Sequence, residues 1–176
     1  MGDIPLRARV LIISVFLLCG GLVDAQRTSD LPADYESVTL VGTLRGTEHR
    51  RFEITIDCIP LDRSSDRRTH SAPGAKLLGL ATDGYKTRCV VDTFSLKLNG
   101  SAVNLPDKSR SDLADLVLPS GVYATSRGQY LVLHVKGGDG DTAYEARFIV
   151  DRQRLLAREL DQTNKDGELE TTRTEF

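Results

Sequence analysis

Apolar and polar side chains alternate along much of this chain, which is the pattern of β-strands that bury one face. Residues 38–44 and residues 52–58 alternate in this way, and the polar stretch 45–50, which contains Gly46, separates them as a turn. The two segments therefore predict a hairpin. Their inward positions are Val38, Leu40, Gly42, Leu44, Phe52, Ile54, Ile56 and Cys58.

Residues 87–98 predict a long strand whose alternation changes phase. A strict period of two would place Cys89 on the face opposite Phe94. A β-bulge near Asp92 would shift the phase by one residue and bring both side chains to the same face. The strand ends at Asn99-Gly100, the clearest hairpin turn in the sequence, because both residue types tolerate a positive φ.

The C-terminal half continues the strand pattern, with a glycine-rich turn at 137–142 inside a second hairpin. Residues 152–160 fit either an amphipathic helix or a strand that pairs with residues 169–176 across a turn at 164–167. The threonine-rich tail favours the strand. The other strands of this half are predicted at 122–125, 130–135 and 143–150.

Residues 106–118 interrupt the strand pattern between these two halves. Ser109 or Ser111 is a suitable N-cap for a short helix that would carry Leu113, Leu116 and Val117. We therefore expect one short helix at this point.

Short strands joined by hairpin turns indicate a mainly β fold, an antiparallel meander that forms a small barrel or a sandwich with at most one or two short helices. The pattern does not choose between barrel and sandwich. It divides the chain into residues 1–25, a polar lead-in at 26–37 that contains Pro32 and for which disorder stays open, and a single β-rich domain at 38–176.

The first 25 residues have the features of a cleavable secretory signal. Arg7 and Arg9 precede a short apolar run, and Val23-Asp24-Ala25 offers a small residue at the cleavage position. The run is too short to span a bilayer, which takes about 20 residues. The alternatives are a retained signal anchor and a lipoprotein acylated at Cys19. Cleavage predicts a mature chain that begins at Gln26, has no membrane span, and is secreted, periplasmic or otherwise extracellular.

Net charge narrows the class of partner. The sequence has 23 Lys and Arg against 25 Asp and Glu, a formal charge of −2. A domain so close to neutral has no general field that attracts nucleic acid, so we expect no nucleic-acid partner.

Signal cleavage would remove Cys19, so the mature chain would contain two cysteines, Cys58 and Cys89. In an oxidising compartment such a pair predicts one disulfide, which would close a loop of about 30 residues and stabilise the fold by roughly 3–4 kcal/mol. The alternative is two buried thiols.

Candidate chemistry in the sequence is sparse. Arg63, Arg67 and Arg68 lie in a long polar loop at 62–74 and could form an anion-binding surface, although Asp62 and Asp66 interleave with them. The run Gly137–Asp141 lacks the last aspartate of a calcium-binding glycine repeat, and the three histidines do not have zinc-ligand spacing. We predict no catalytic residues, metal or cofactor. Asn99-Gly100-Ser101 matches a glycosylation sequon, which leaves glycosylation of Asn99 open.

These observations favour an exported, non-enzymatic binding or envelope-associated module. Its partner would be an envelope or extracellular protein or an anionic ligand. A secreted hydrolase with a site assembled across strands is one alternative. A structural or assembly element that pairs through an edge strand is another.

Overall fold

The computed structural model describes residues 12–17, 21–26, 36–44, 50–59, 77–79, 89–164 and 166–176. Eleven strands lie in this part of the chain, together with two short 3₁₀ turns at Asp107–Ser109 and Gly140–Thr142. The strands are β1 (Ile12–Leu17), β2 (Gly21–Gln26), β3 (Glu36–Leu44), β4 (Arg50–Ile59), β5 (Val90–Leu98), β6 (Ser101–Ala102), β7 (Val122–Arg127), β8 (Tyr130–Gly137), β9 (Tyr144–Val150), β10 (Leu155–Thr163) and β11 (Leu169–Glu175).

The strands form two antiparallel sheets. The first sheet has the order β1-β2-β3-β4-β5-β6, and the second has the order β11-β10-β9-β8-β7. Within each sheet the strands follow one another in chain order, so consecutive strands pair as the predicted meander requires, and the chain passes from one sheet to the other between β6 and β7. The mainly β fold class is thereby confirmed. The described strands make two separate sheets, a sandwich-like arrangement, and they do not close into a barrel.

The core lies between the sheets and is built from the inward residues of both. On β4 the alternation is clear, with Ile54 and Ile56 fully buried and the residues between them partly exposed. Phe94 of the first sheet meets Phe148 of the second edge to face, with ring centroids 5.0 Å apart and planes at 85°. Burying such side chains contributes about 1.5–3 kcal/mol each, so this layer holds the two sheets together.

The predicted bulge lies at Asp92. Asp57 pairs with Thr93 and Cys58 pairs with Val91, so Asp92 is the extra residue on β5. The side chain of Asp92 is exposed, while Cys89 and Phe94 are both buried. The bulge thus brings Cys89 and Phe94 to one face, as the change of phase in the sequence indicates.

The tight turn at Asn99-Gly100 also has the predicted geometry, with φ of 50° at Asn99 and 81° at Gly100. Gly137 is required because a Cβ at this position would collide with the Tyr144 hydroxyl. This hydroxyl donates a buried hydrogen bond to the Ala114 carbonyl at 2.7 Å. Burial raises the pKa of Tyr144 far above its ordinary value, so it stays a neutral donor.

The prediction of a short helix within residues 106–118 is wrong. Only the 3₁₀ turn Asp107–Ser109 is present, and Ser109 is buried with its hydroxyl bonded to the Pro106 carbonyl. The following chain crosses the open end of the sandwich as isolated bridges, Ala114 with Val90 and Leu116 with Gly137. The backbone of this stretch bonds to the chain on both sides, with Asp115 N–H donating to the Cys89 carbonyl and Val117 N–H to the Lys136 carbonyl, and this long-range pairing takes the place of helical bonds.

The ambiguous C-terminal segment is a hairpin. β10 and β11 pair from Ala157↔Glu175 to Thr163↔Leu169, which confirms the strand alternative. At the other end of the chain, β1 pairs with β2 and β2 pairs with β3. None of the helices in the described part of the chain is long and apolar enough to cross a membrane.

Candidate functional site

The outer face of the second sheet carries a compact group of polar side chains, here called the polar cluster. It consists of Tyr123 and Thr125 on β7, His134 and Lys136 on β8, and Glu145 on β9. The short turn after Arg127 fixes the register, because Arg127 pairs with Tyr130 and Tyr123 therefore pairs with His134. Lys136 likewise pairs with Glu145. Alternation then places these side chains on the face away from the core.

His134 lies at the centre of the polar cluster and is hydrogen-bonded on both sides. Its Nδ1 is 2.6 Å from Glu145 Oε1, and its Nε2 is 2.9 Å from Thr125 Oγ1. An ionised carboxylate only accepts, so Nδ1 carries a proton and donates this hydrogen bond to Glu145. The Tyr123 ring stacks on His134 with centroids 4.3 Å apart and planes at 10°.

The Glu145 carboxylate contacts three members of the polar cluster: His134, Tyr123 and Lys136. Burial disfavours its charged form, but the hydrogen bond and charge of His134, the charge of Lys136 and the hydrogen bond from Tyr123 outweigh burial, so its pKa is lowered. The Tyr123 hydroxyl donates to Glu145 Oε1 at 3.2 Å. Burial and the neighbouring carboxylate raise the pKa of Tyr123. Glu145 is therefore an anion and Tyr123 a neutral donor near neutral pH.

A second group, here called the arginine network, continues along the same face. Glu159 on β10 lies among three guanidinium groups: Arg173 at 2.7 Å, Arg147 at 3.2 Å and Arg127 at 3.3 Å. Arg147 also bonds Asp161 at 2.8 Å. Because Arg147 pairs with His134 and Glu145 with Asp161 across the strands, the polar cluster and the arginine network form one continuous surface.

The hydrogen-bonded order Thr125–His134–Glu145 is that of a nucleophile, a general base and an orienting carboxylate. It lies on the outer face of the sheet, where the His134 and Glu145 side chains are 13% and 24% exposed. Two cavities are found elsewhere, one of about 230 Å³ beside the buried Arg158–Asp112 pair and one of about 220 Å³ beside Arg50 and Arg152. Neither of these two cavities is lined by a member of the polar cluster.

The residues predicted from sequence lie elsewhere. Cys58 and Cys89 are both buried on neighbouring strands, and the structure has no disulfide bond between them. Cys58 pairs with Val91, so Cys89 is its diagonal neighbour two residues away. Arg63, Arg67 and Arg68, together with the loop 62–74, lie outside the described residues.

Sequence reasoning missed the polar cluster, although the signal was present. His134 lies in the predicted strand 130–135 beside the buried Leu133, so alternation alone places it on the opposite, outer face. A turn at Gly128-Gln129 between the predicted strands 122–125 and 130–135 gives the pairing of Tyr123 with His134. Applying this register to both hairpins would have brought Thr125, His134 and Glu145 together.

Comparisons with known proteins add no relative to this description. The chain matches no protein-family model, no curated protein and no solved structure.

Proposed function

We propose that this chain is an exported, non-enzymatic binding module whose partner docks on the outer face of the second sheet, across the polar cluster and the arginine network. The observation that carries the proposal is the composition and order of that face. Tyrosine and arginine are the residues that contribute most to protein interfaces. Here Tyr123 is fixed by its stack on His134, and Arg147 and Arg173 are fixed by ion pairs.

Fixed side chains favour binding, because little conformational entropy is lost when a partner arrives. The face is also balanced in charge. Arg127, Lys136, Arg147 and Arg173 stand against Glu145, Glu159, Asp161 and Glu175. A partner must therefore match the pattern of charges, which fits a protein surface of mixed charge better than a polyanion.

The proposal of export depends on the signal sequence at residues 1–25, and it is tested by analysing the mature protein. Mass analysis of material released by the producing cell is expected to give a chain that begins at Gln26. Labelling of the denatured, unreduced protein with a thiol reagent is expected to find no reactive cysteine, because Cys58 and Cys89 form a disulfide after export. A retained N-terminus contradicts export, and two labelled thiols contradict the disulfide.

The docking face is tested with a photo-crosslinking amino acid placed at single positions in the exporting cell. Position Tyr123 on the second sheet is compared with Ser95, which is exposed on the outer face of the first sheet. We expect adducts at Tyr123 and none at Ser95. Replacing Arg173 by Gln should reduce the yield, whereas Lys97→Gln on the first sheet should not. Equal yields on both faces overturn the proposal.

A hydrolase is the second candidate, favoured by the Thr125–His134–Glu145 hydrogen bonds. In that reaction Thr125 Oγ1 attacks the acyl carbon of an ester and passes its proton to His134 Nε2. The alcohol leaves with this proton, and water then releases the acid from the acyl-threonine. The site weakens this candidate, because β8 and β9 use their backbone N–H groups within the sheet on both sides and oxyanion stabilisation needs such donors.

The hydrolase candidate is tested with p-nitrophenyl acetate as the probe. If it is correct, Thr125→Val and His134→Gln each lower the rate at least about 100-fold, and the matched control Ser126→Ala retains it. If the wild-type rate equals that of Thr125→Val, the surface binds and does not catalyse.

A further inference from the structure

The strands at the sheet edges differ in how well they are protected against pairing with another chain. An exposed edge offers unpaired N–H and C=O groups, and proteins block such edges with charges, proline or very short strands. β6 is only two residues long. β11 carries Glu170, Arg173 and Glu175, and β7 ends in Arg127.

Beyond Glu36, its first residue, β3 has none of these protections. Residues 37–44 read Ser-Val-Thr-Leu-Val-Gly-Thr-Leu, without a charged residue or a proline. In the structure its outer edge is covered by β2, with Val23 opposite Gly42 and Gln26 opposite Thr39. The segment that covers the edge is thus the end of the leader.

Export changes this arrangement, and the following inference rests on the export part of the proposed function. Cleavage before Gln26 removes β1 and all of β2 except its last residue. Of the four residue pairs between β2 and β3, only Gln26↔Thr39 stays in the mature chain. Maturation therefore removes the partner strand of β3, whose residues 37–44 carry no charge.

We infer that the mature protein forms a symmetric dimer in which the β3 strands of two copies pair edge to edge. A two-fold axis at Leu40 would place Val38 opposite Gly42 and Thr39 opposite Val41. Val38, Leu40 and Gly42 are buried, whereas Thr39 and Val41 are partly exposed. The pairing therefore continues the core of one copy into the core of the other, face matched to face.

A second copy suits this edge because the strand complements itself. Residues 37–43 bring no like charges together in any antiparallel register, and the β-branched Val38, Thr39 and Val41 favour cross-strand packing. β3–β3 pairing would join the two first sheets into one continuous sheet. The outer faces of the second sheets stay open, so the dimer and the proposed docking face coexist.

The test uses the exported protein, with its N-terminus determined by mass and its molar mass by light scattering at micromolar concentration. We expect a dimer that begins at Gln26. Val41→Lys adds a charge at the edge and should weaken dimerisation at least tenfold. Thr43→Lys, at an exposed position of the same strand, is a second variant in case the first misfolds. The matched control Thr55→Lys lies on β4, one strand inward, and should leave the dimer intact.

The outcomes separate the two proposals. A monomer that begins at Gln26 overturns the dimer and leaves export standing. A chain that retains residues 1–25 overturns both. A dimer that survives Val41→Lys and Thr43→Lys pairs through another surface, which also overturns the inference. Amide hydrogen exchange adds a direct readout, because the amides of β3 should be more protected in the wild-type dimer than in the lysine variants.

Discussion

The two sheets of the sandwich use charged residues in different ways. On the first sheet, Glu53 and Lys97 form an isolated pair at 2.8 Å, and their side chains are 38% and 48% exposed. On the second sheet, Glu159 is 12% exposed and shared among three arginines, and Arg158 is 8% exposed and held by Asp112. The Glu53–Lys97 pair therefore lies at the surface, whereas Glu159 and Arg158 on β10 of the second sheet are largely buried and held in ion pairs.

This difference bears on which sheet face is better suited to bind a partner. A face whose side chains have one allowed arrangement presents a defined pattern, and a partner can match a defined pattern. The first sheet's outer face is dominated by threonine, serine and solvent-exposed pairs, such as the weak contact of 3.4 Å between Thr39 and Thr55. The comparison supports placing the docking face on the second sheet, and it can be tested by breaking each kind of charge pair.

The largest effect is expected from Asp112→Ala. Arg158 donates two hydrogen bonds to the Asp112 carboxylate, at 2.7 and 2.8 Å, and a third to the Ser109 carbonyl at 3.0 Å. Removing the carboxylate strands a buried guanidinium, so the free energy of unfolding should fall by roughly 3 kcal/mol. Chemical denaturation measures this change.

The matched control replaces both partners, as Asp112→Leu with Arg158→Met. Losing both charges together should recover a large part of the stability, because no unpaired charge is left. If Asp112→Ala unfolds at the wild-type denaturant concentration, the contrast between the two sheets fails at its strongest point.

The strands and turns of the two sheets could be predicted from the sequence, but the ion pairs between their side chains could not. The meander, the bulge at Asp92 and the Asn99-Gly100 turn all follow from local rules of alternation and backbone conformation. These rules act within a few residues, so they are visible in one chain.

The arginine network, by contrast, depends on the register of four strands. Glu159, Arg147 and Arg173 are separated along the chain, and a shift of one residue in either hairpin would move one of them to the other face. The failed helix at 106–118 has the same origin. Leu113 and Leu116 are buried by strands distant in sequence, and local capping signals do not report such contacts.

Glu159→Gln is expected to have the next largest effect. The amide keeps the shape but loses the charge that neutralises the arginines, so the free energy of unfolding should fall by about 1–3 kcal/mol. A double-mutant cycle with Arg147→Met should show coupling between the two residues. Additive effects would mean that the network is a set of independent surface pairs.

Lowering the pH should reduce the free energy of unfolding by protonating Glu159. Burial opposes ionisation of Glu159, but its hydrogen bond to Arg127 and the charges of Arg127, Arg147 and Arg173 outweigh burial and lower the pKa below the ordinary 4.5. A lowered folded-state pKa contributes stability that is complete above the unfolded value and is lost as pH falls through the folded one.

The free energy of unfolding should therefore decline as the pH falls below about 4.5, and Glu159→Gln should flatten this decline. Urea unfolding at a series of pH values gives both slopes. Well above that pH the carboxylate is ionised in both states, and Glu159 should contribute no slope there. Identical acid slopes for the two proteins would contradict a lowered pKa at Glu159.

The smallest effect is expected from Glu53→Gln on the first sheet. The hydrogen bond and charge of Lys97 lower the pKa of Glu53, so the pair exists, but water screens both side chains. The variant should unfold at nearly the wild-type denaturant concentration, and a double-mutant cycle with Lys97→Met should show coupling within experimental error. High salt should remove any residual difference. A coupling as strong as that between Arg147 and Glu159 would show that the first sheet's face is also a cooperative structure, and the reason for placing the partner on the second sheet would then be lost.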